Sequence, residues 1–259
     1  MNNISSIAFR AFLEKFSRYV ASFQHLDAEG AAHFELKNKH TWRVVSNSRR
    51  IAEKEGYAPE VTKLAGIIGL FHDVGRFKQY YDYHTFDDAI SLNHAAKSVE
   101  VIKEQGFFQQ LDPGIAEIMM RAILQHNIPA ITESTDPDVI LFAKILRDAD
   151  KIDILKLQTE TDIIFTLGPH QPVKQYNVPE NIRRCFMEER VVTLELAGSI
   201  NDFRLLRLSW IYDMNFKSTF RMLYEKNYAA RILDKIPSSE TLQELALIIH
   251  RYIDHRLQL

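Results

Sequence analysis

Residues 64–71, LAGIIGLF, are apolar on every side of a helix, and the run ends on a histidine and an aspartate, His72 and Asp73. Such a helix belongs in the middle of a bundle, where neighbours cover it all round. A carboxylate buried at its end without a partner costs several kcal/mol, so Asp73 needs either a counter-charge or a place at the surface. A divalent cation would supply the charge, because imidazole and carboxylate are both good ligands for first-row metals. A His–Asp pair capping the helix in water is the alternative, and the dipeptide alone leaves both open. Gly66 and Gly69 would let neighbouring helices come close, although each costs about 1 kcal/mol of helix propensity.

Helical spacing recurs along almost the whole chain. It predicts helices over about 5–23, 39–55, 59–74, 88–105, 114–126, 136–158, 179–190, 200–226 and 239–257, with breakers such as Gly56, Gly106, Pro113 and Pro129 between them. Residues 75–87, GRFKQYYDYHTFD, have no clean period and read as an aromatic loop, and 166–179 as an irregular connection. VVTLEL (191–196) would suit a short strand, but one strand cannot form a sheet by itself. The fold expected is all-α.

At 259 residues, 46% hydrophobic and 25% charged, the chain suits one large domain, or a core over 1–160 with a helical extension over 161–259. A net charge of -2 gives no reason to expect a standing nucleic-acid partner. Lys37, Lys39, Arg43, Arg49 and Arg50 are expected mostly on the solvated side of one helix. The single cysteine, Cys185, excludes an intrachain disulfide and a cysteine-rich zinc cluster. No apolar run approaches the length of a membrane span, and the first residues lack a secretion-signal pattern. A cytoplasmic protein with no membrane partner is expected.

Placement is what makes the histidines informative. His40 lies on a stripe with Val44, Asn47 and Ile51; His94 with Ile90, Ser98 and Val101; His126 ends a helix in line with Ile115, Ile118, Met119 and Ala122. Any one of them would pass for a hydrogen-bonded core histidine. Separate helices each carrying one on an inward face suggest a shared ligand, since neutral imidazole is the commonest side-chain metal ligand. In LRDADKIDIL, Asp148 has Lys144 and Lys151 at ion-pair spacing and is expected on a solvated face. Asp150 instead continues the inward stripe of Val139, Ala143 and Leu146 and is the carboxylate expected at the centre. Asp153, a turn further on, is a substrate-side candidate or merely structural.

The ordered set His40, His72-Asp73, His94, His126 and Asp150, the last in the context ADK, resembles the HD-domain superfamily of metal-dependent phosphohydrolases, in its two-metal H…HD…H…H…D branch. The resemblance covers residues about 35–158. It implies an HD helical core and one or two divalent transition-metal ions (Fe, Mn, Zn, Co or Ni). One ion would be held by His40, His72, Asp73 and Asp150, and another by His94 and His126, with Asp73 bridging. It further implies hydrolysis of a phosphate ester, of a nucleotide or another small phosphorylated metabolite, by metal-activated water.

Two-metal relatives often read HDxGK, whereas this chain reads HDVGR with Arg76, and it lacks the GYP signature of cyclic-dinucleotide phosphodiesterases. Arg76 and Lys151 are the expected partners of the non-bridging phosphoryl oxygens. His84 and Thr85 are expected to reach the substrate, while the neighbouring aromatics either stack on it or pack the loop. The ligand pattern is shared with di-iron oxygenases of the same fold, and a regulatory module without turnover is a third reading. Residues 160–259 carry no catalytic pattern and either complete the bundle wall or form an oligomer interface, such as that of a homodimer.

Overall fold

A computed structural model of the protein describes residues 6–23, 27–131, 136–160 and 176–258. Among these there are twelve α-helices, two short 3-10 segments and no strand. Backbone contacts divide the chain into two compact units within one long helix, 1–150 and 151–259.

In the first unit, α1 (Ser6–Ala21), α2 (Ala28–Lys54), α3 (Pro59–Phe71), α4 (Val74–Tyr83), α5 (His94–Glu104) and α6 (Pro113–Leu124) precede the long helix α7 (Pro137–Glu160). The local signals explain the ends. Asp27 caps α2 by accepting from the Gly30 amide at 2.7 Å. After the α2 C-cap, Glu55, Gly56 takes the left-handed conformation at φ 78°, which favours glycine. Proline occupies the first turn of α3 and of α6.

The apolar helix α3 is buried from Leu64 to Phe71. It packs on α1, α2 and α6. At Gly69 a side chain would meet Ser48 Oγ at 3.0 Å and the α2 backbone at 3.3 Å, so the close approach of α2 and α3 depends on this glycine. Phe71, the last residue of α3, is wedged between Phe12, Phe16, Phe107 and Phe108, with ring centroids 4.9–6.1 Å apart. This clamp fixes the chain immediately before His72 and Asp73.

The sequence reading of 75–87 as a loop is corrected here, because most of it is α4. Val74, Phe77 and Tyr80 are buried on one face, while Tyr81 and Tyr83 are exposed. Aromatics on both faces hid the helical period. The helix expected from 88 starts only at His94, after a turn in which Asp88 is taken up by side-chain contacts.

The second unit holds the end of α7, then α8 (Glu180–Met187), α9 (Ile200–Ser209), α10 (Lys217–Glu225), α11 (Tyr228–Leu233) and α12 (Glu240–Gln258). Its core includes Leu155, Ile182, Phe186, Leu205, Leu208, Ile211, Phe220, Leu245 and Ile249. The helix expected over 200–226 is broken by a 3-10 turn at Trp210–Asp213 and an extended Met214. The strand considered at 191–196 is absent, and Leu194–Leu196 form a 3-10 turn. Helix α11 was not foreseen. Most of the connection read at 166–179 lies outside the described residues.

No helix among the described residues is long and apolar enough to cross a membrane.

Candidate metal centre

Side chains from the middle of two helices and the ends of others converge in the first unit. His40 comes from α2, His72 and Asp73 from the junction of α3 and α4, His94 from the first turn of α5, His126 from just beyond α6, and Asp150 from α7. Asp73 is the hub. Its Oδ2 lies 3.7 Å from His40 Nε2 and 3.6 Å from His72 Nε2. Asp150 Oδ1 faces the same two nitrogens, at 3.1 and 3.9 Å. The other oxygen, Asp73 Oδ1, lies 3.6 Å from His94 Nε2 and 3.8 Å from His126 Nε2.

These separations suit a cation. Donors bonded at about 2.1 Å to one ion can stand at most roughly 4.3 Å apart. The nitrogen–oxygen separations of 3.1–3.9 Å fall inside that limit, and His40, His72 and Asp150, like His72, Asp73 and His126, form groups that could hold an ion.

The outer nitrogens explain why the inner ones face the centre. His72 Nδ1 donates to the Gly69 carbonyl at 2.8 Å, and His126 Nδ1 to the Ile123 carbonyl at 2.6 Å. His94 Nδ1 donates to the Asp88 carboxylate at 2.5 Å. A carbonyl can only accept, so these bonds fix the proton on Nδ1 and leave the Nε2 lone pair pointing inward, as ligating histidines require. Two consequences mark the place of a positive charge. In the neutral rings the Nε2 lone pairs of His94 and His126 confront each other at 3.0 Å. His72 Nε2 and Asp73 Oδ1 are buried with no hydrogen-bond partner, a costly condition that a metal ion would relieve. The residues present therefore fit a metal.

Burial pushes the His72 imidazole down to about 4. Burial, and then the nearby Arg76 charge, bring His94 to about 4 as well. Burial alone would raise the Asp73 carboxyl, but Lys37 and the surrounding rings outweigh it and hold the group well below the usual carboxylate range. At neutral pH His72 and His94 are thus neutral imidazoles and Asp73 is an ionised carboxylate.

A pH dependence follows for the metal-free protein. Unfolded histidine titrates near 6.5, so between pH 6.5 and 4 the unfolded chain binds more protons than the folded one. The stability from keeping His72 and His94 neutral is complete above pH 6.5 and drains away as the pH falls towards 4, by up to roughly 3 kcal/mol per ring. Urea titrations of chelator-treated protein at pH 7 and pH 4.5 should show the loss.

Residues 39–155 match the family model described as the HD domain. That stretch, a little under half of the chain, is similar to the HD domain. HD domains are all-α and typify metal-dependent hydrolases, which agrees with the helical architecture and the His/Asp cluster. No curated protein and no solved structure matches the chain.

Within the matched stretch the remaining candidates have varied places. Arg76 is partly buried. Its Nη1 donates to Gln79 Oε1 at 2.8 Å, the Phe86 carbonyl at 2.5 Å and Asp88 Oδ1 at 2.7 Å. His84 is exposed and closes α4 in the left-handed conformation, its ring 6.1 Å from that of Tyr80. The Thr85 hydroxyl accepts from the Asp87 amide at 3.1 Å. In the second unit, the Lys151 amine pairs with Asp213, and Asp153 is buried.

The expectation that Asp148 lies on a solvated face is corrected: it is 0% exposed. Every residue from 145 to 149 is buried, so α7 has no solvated stripe at that turn.

Three participants were missed. Lys37 belongs to a basic group expected mostly on a solvated side, yet its amine lies 2.9 Å from Asp73 Oδ2. Its position one turn before His40 on α2 was the available signal. Asp88 joins Arg76 to His94, and it sits in an irregular turn that gave no signal. Arg147 donates to the carbonyls of Gln125, Ile128 and Pro129 at 2.5–3.1 Å, which ties down the segment that carries His126.

Proposed function

We propose that the chain is a metal-dependent phosphohydrolase that cleaves a phosphate ester of a nucleotide or another small phosphorylated metabolite. The observation that carries this reading is the division of Asp73: one oxygen faces His40 and His72, the other His94 and His126. A first cation would be held by His40, His72, Asp73 and Asp150, and a second by Asp73, His94 and His126. Bound there, such ions activate water near neutral pH and stabilise the charge that builds on a phosphoryl oxygen.

The chain's own residues prepare the site. The Nδ1 bonds aim the imidazoles, and burial keeps His72 and His94 unprotonated and available. Arg76 acts as a positioning residue in this reading: it braces Asp88, which orients His94. Replacing Asp88 with asparagine should therefore weaken the second ion by roughly 10–100-fold and leave the first largely unaffected. Calorimetric titration with Mn²⁺ would read the two steps separately.

The reading is tested by stripping the protein with chelator and reloading it with Mn²⁺, Co²⁺, Ni²⁺ or Fe²⁺. Phosphate release from a panel of phosphomonoesters and diesters is then followed. Metal-dependent release is the expected result. Substrate-dependent O₂ uptake by iron-loaded protein, with no release from any ester, would replace hydrolysis by oxygenase chemistry.

A further inference from the structure

Lys37 stands where the proposed first ion needs room. Its Nζ lies 2.9 Å from Asp73 Oδ2, the oxygen that also faces His40 and His72. The lysine side chain keeps 17% of its exposure against 5% for Asp73, so the amine reaches the carboxylate from the solvent side. It is also 5.2 Å from the centre of the Phe86 ring, a cation–π distance. Being one turn before His40 on α2, its Cα is fixed relative to the centre while its four-carbon stem can move.

We infer that Lys37 is an exchangeable counter-ion. It neutralises Asp73 until a divalent ion takes Oδ2, and it then swings outward to bind the anionic oxygens of the substrate. The inference rests on the two-cation reading above. An ammonium and a divalent cation cannot both touch one carboxylate oxygen without strong like-charge repulsion, because screening by water is poor at so buried an atom. The lysine must therefore yield. Its stem and the Phe86 face keep the released charge beside the centre, on the side open to solvent, where an arriving phosphate meets it. Lysine suits this exchange because it is a compact point charge on a flexible stem.

Metal and anion affinities test the idea without any assay of turnover. Mn²⁺ binding to chelator-stripped wild type, K37M, K37Q and K37R is measured by calorimetry, followed by inorganic phosphate binding to the Mn²⁺-loaded forms. Loss of the competing charge should tighten the first Mn²⁺ by about tenfold and weaken phosphate by about tenfold in K37M. K37Q serves should K37M fail to fold. K37R should stay within about threefold of wild type for both. Wild type that binds Mn²⁺ alongside a neutral variant with unchanged or weaker Mn²⁺ affinity, or unchanged phosphate affinity, overturns the role of Lys37. Wild type that binds no Mn²⁺ overturns the two-cation reading itself.

Discussion

Asp73→Asn is expected to lower phosphoester hydrolysis by at least about 10³-fold and to abolish tight binding of both ions. The amide keeps the shape of the side chain but loses the charge, and it offers one acceptor oxygen where the carboxylate offers two. The two oxygens serve different histidine sets, so one substitution strikes both halves of the centre. Loss of fold is not the expected cause. Asp73 stands at the N-cap of α4 but makes no capping hydrogen bond, so the helix start does not depend on its charge. Removal of a buried carboxylate beside Lys37 leaves that amine to swing into water. Metal content by elemental analysis, turnover and far-UV circular dichroism, measured on one sample, separate the effects. Full activity with native metal content would remove Asp73 from the mechanism.

The second large effect is one of packing. Gly75→Ala should destabilise the protein by about 3 kcal/mol and disturb His94. A Cβ on Gly75 would stand 2.5 Å from Ser98 N, 2.7 Å from Lys97 C and 3.0 Å from the His94 carbonyl oxygen. These are backbone atoms of the first turns of α5 and cannot rotate away as a side chain could. The Gly75 amide also donates to Ser98 Oγ at 3.0 Å, so the two helices are joined at this point. Forcing them apart shifts the residue that faces Asp73 Oδ1. In a thermal melt the loss corresponds to roughly 6–12 °C. Gly56→Ala is a useful comparison: Gly56 has open space around it and only its positive φ at stake, so about 1 kcal/mol is expected. If Gly75→Ala melts no earlier than Gly56→Ala, close contact between α4 and α5 does not limit stability.

How far the sequence spoke for the molecule varies with the kind of signal. His40, Val44 and Ile51 share a stripe, and so do Val139, Ala143 and Leu146 before Asp150; these periods follow from the geometry of single helices and are visible without a fold. The convergence of the six side chains rested on the same logic, because each was read as facing inward on its own helix. Features set by tertiary contact were not visible in the same way. Helix α4 carries aromatics on both faces, and only the fold decides that Phe77 and Tyr80 are covered while Tyr81 and Tyr83 are not. Asp148 has lysines at ion-pair spacing, a pattern equally consistent with a surface, yet that turn of α7 is buried throughout. Lys37 looked like one of several surface cations until α3 brought Asp73 against it. Asp88 lies in a turn whose conformation comes from its own bonds to Arg76, Gln79 and His94, a circular dependence that no period reveals.

The most direct measurement is anomalous diffraction at the manganese edge from crystals grown with Mn²⁺. Two peaks should flank Asp73, one within bonding reach of His40, His72 and Asp150 and the other of His94 and His126. A map with no peak in reach of Asp73, or with manganese bound only elsewhere on the chain, would contradict the assignment of this centre.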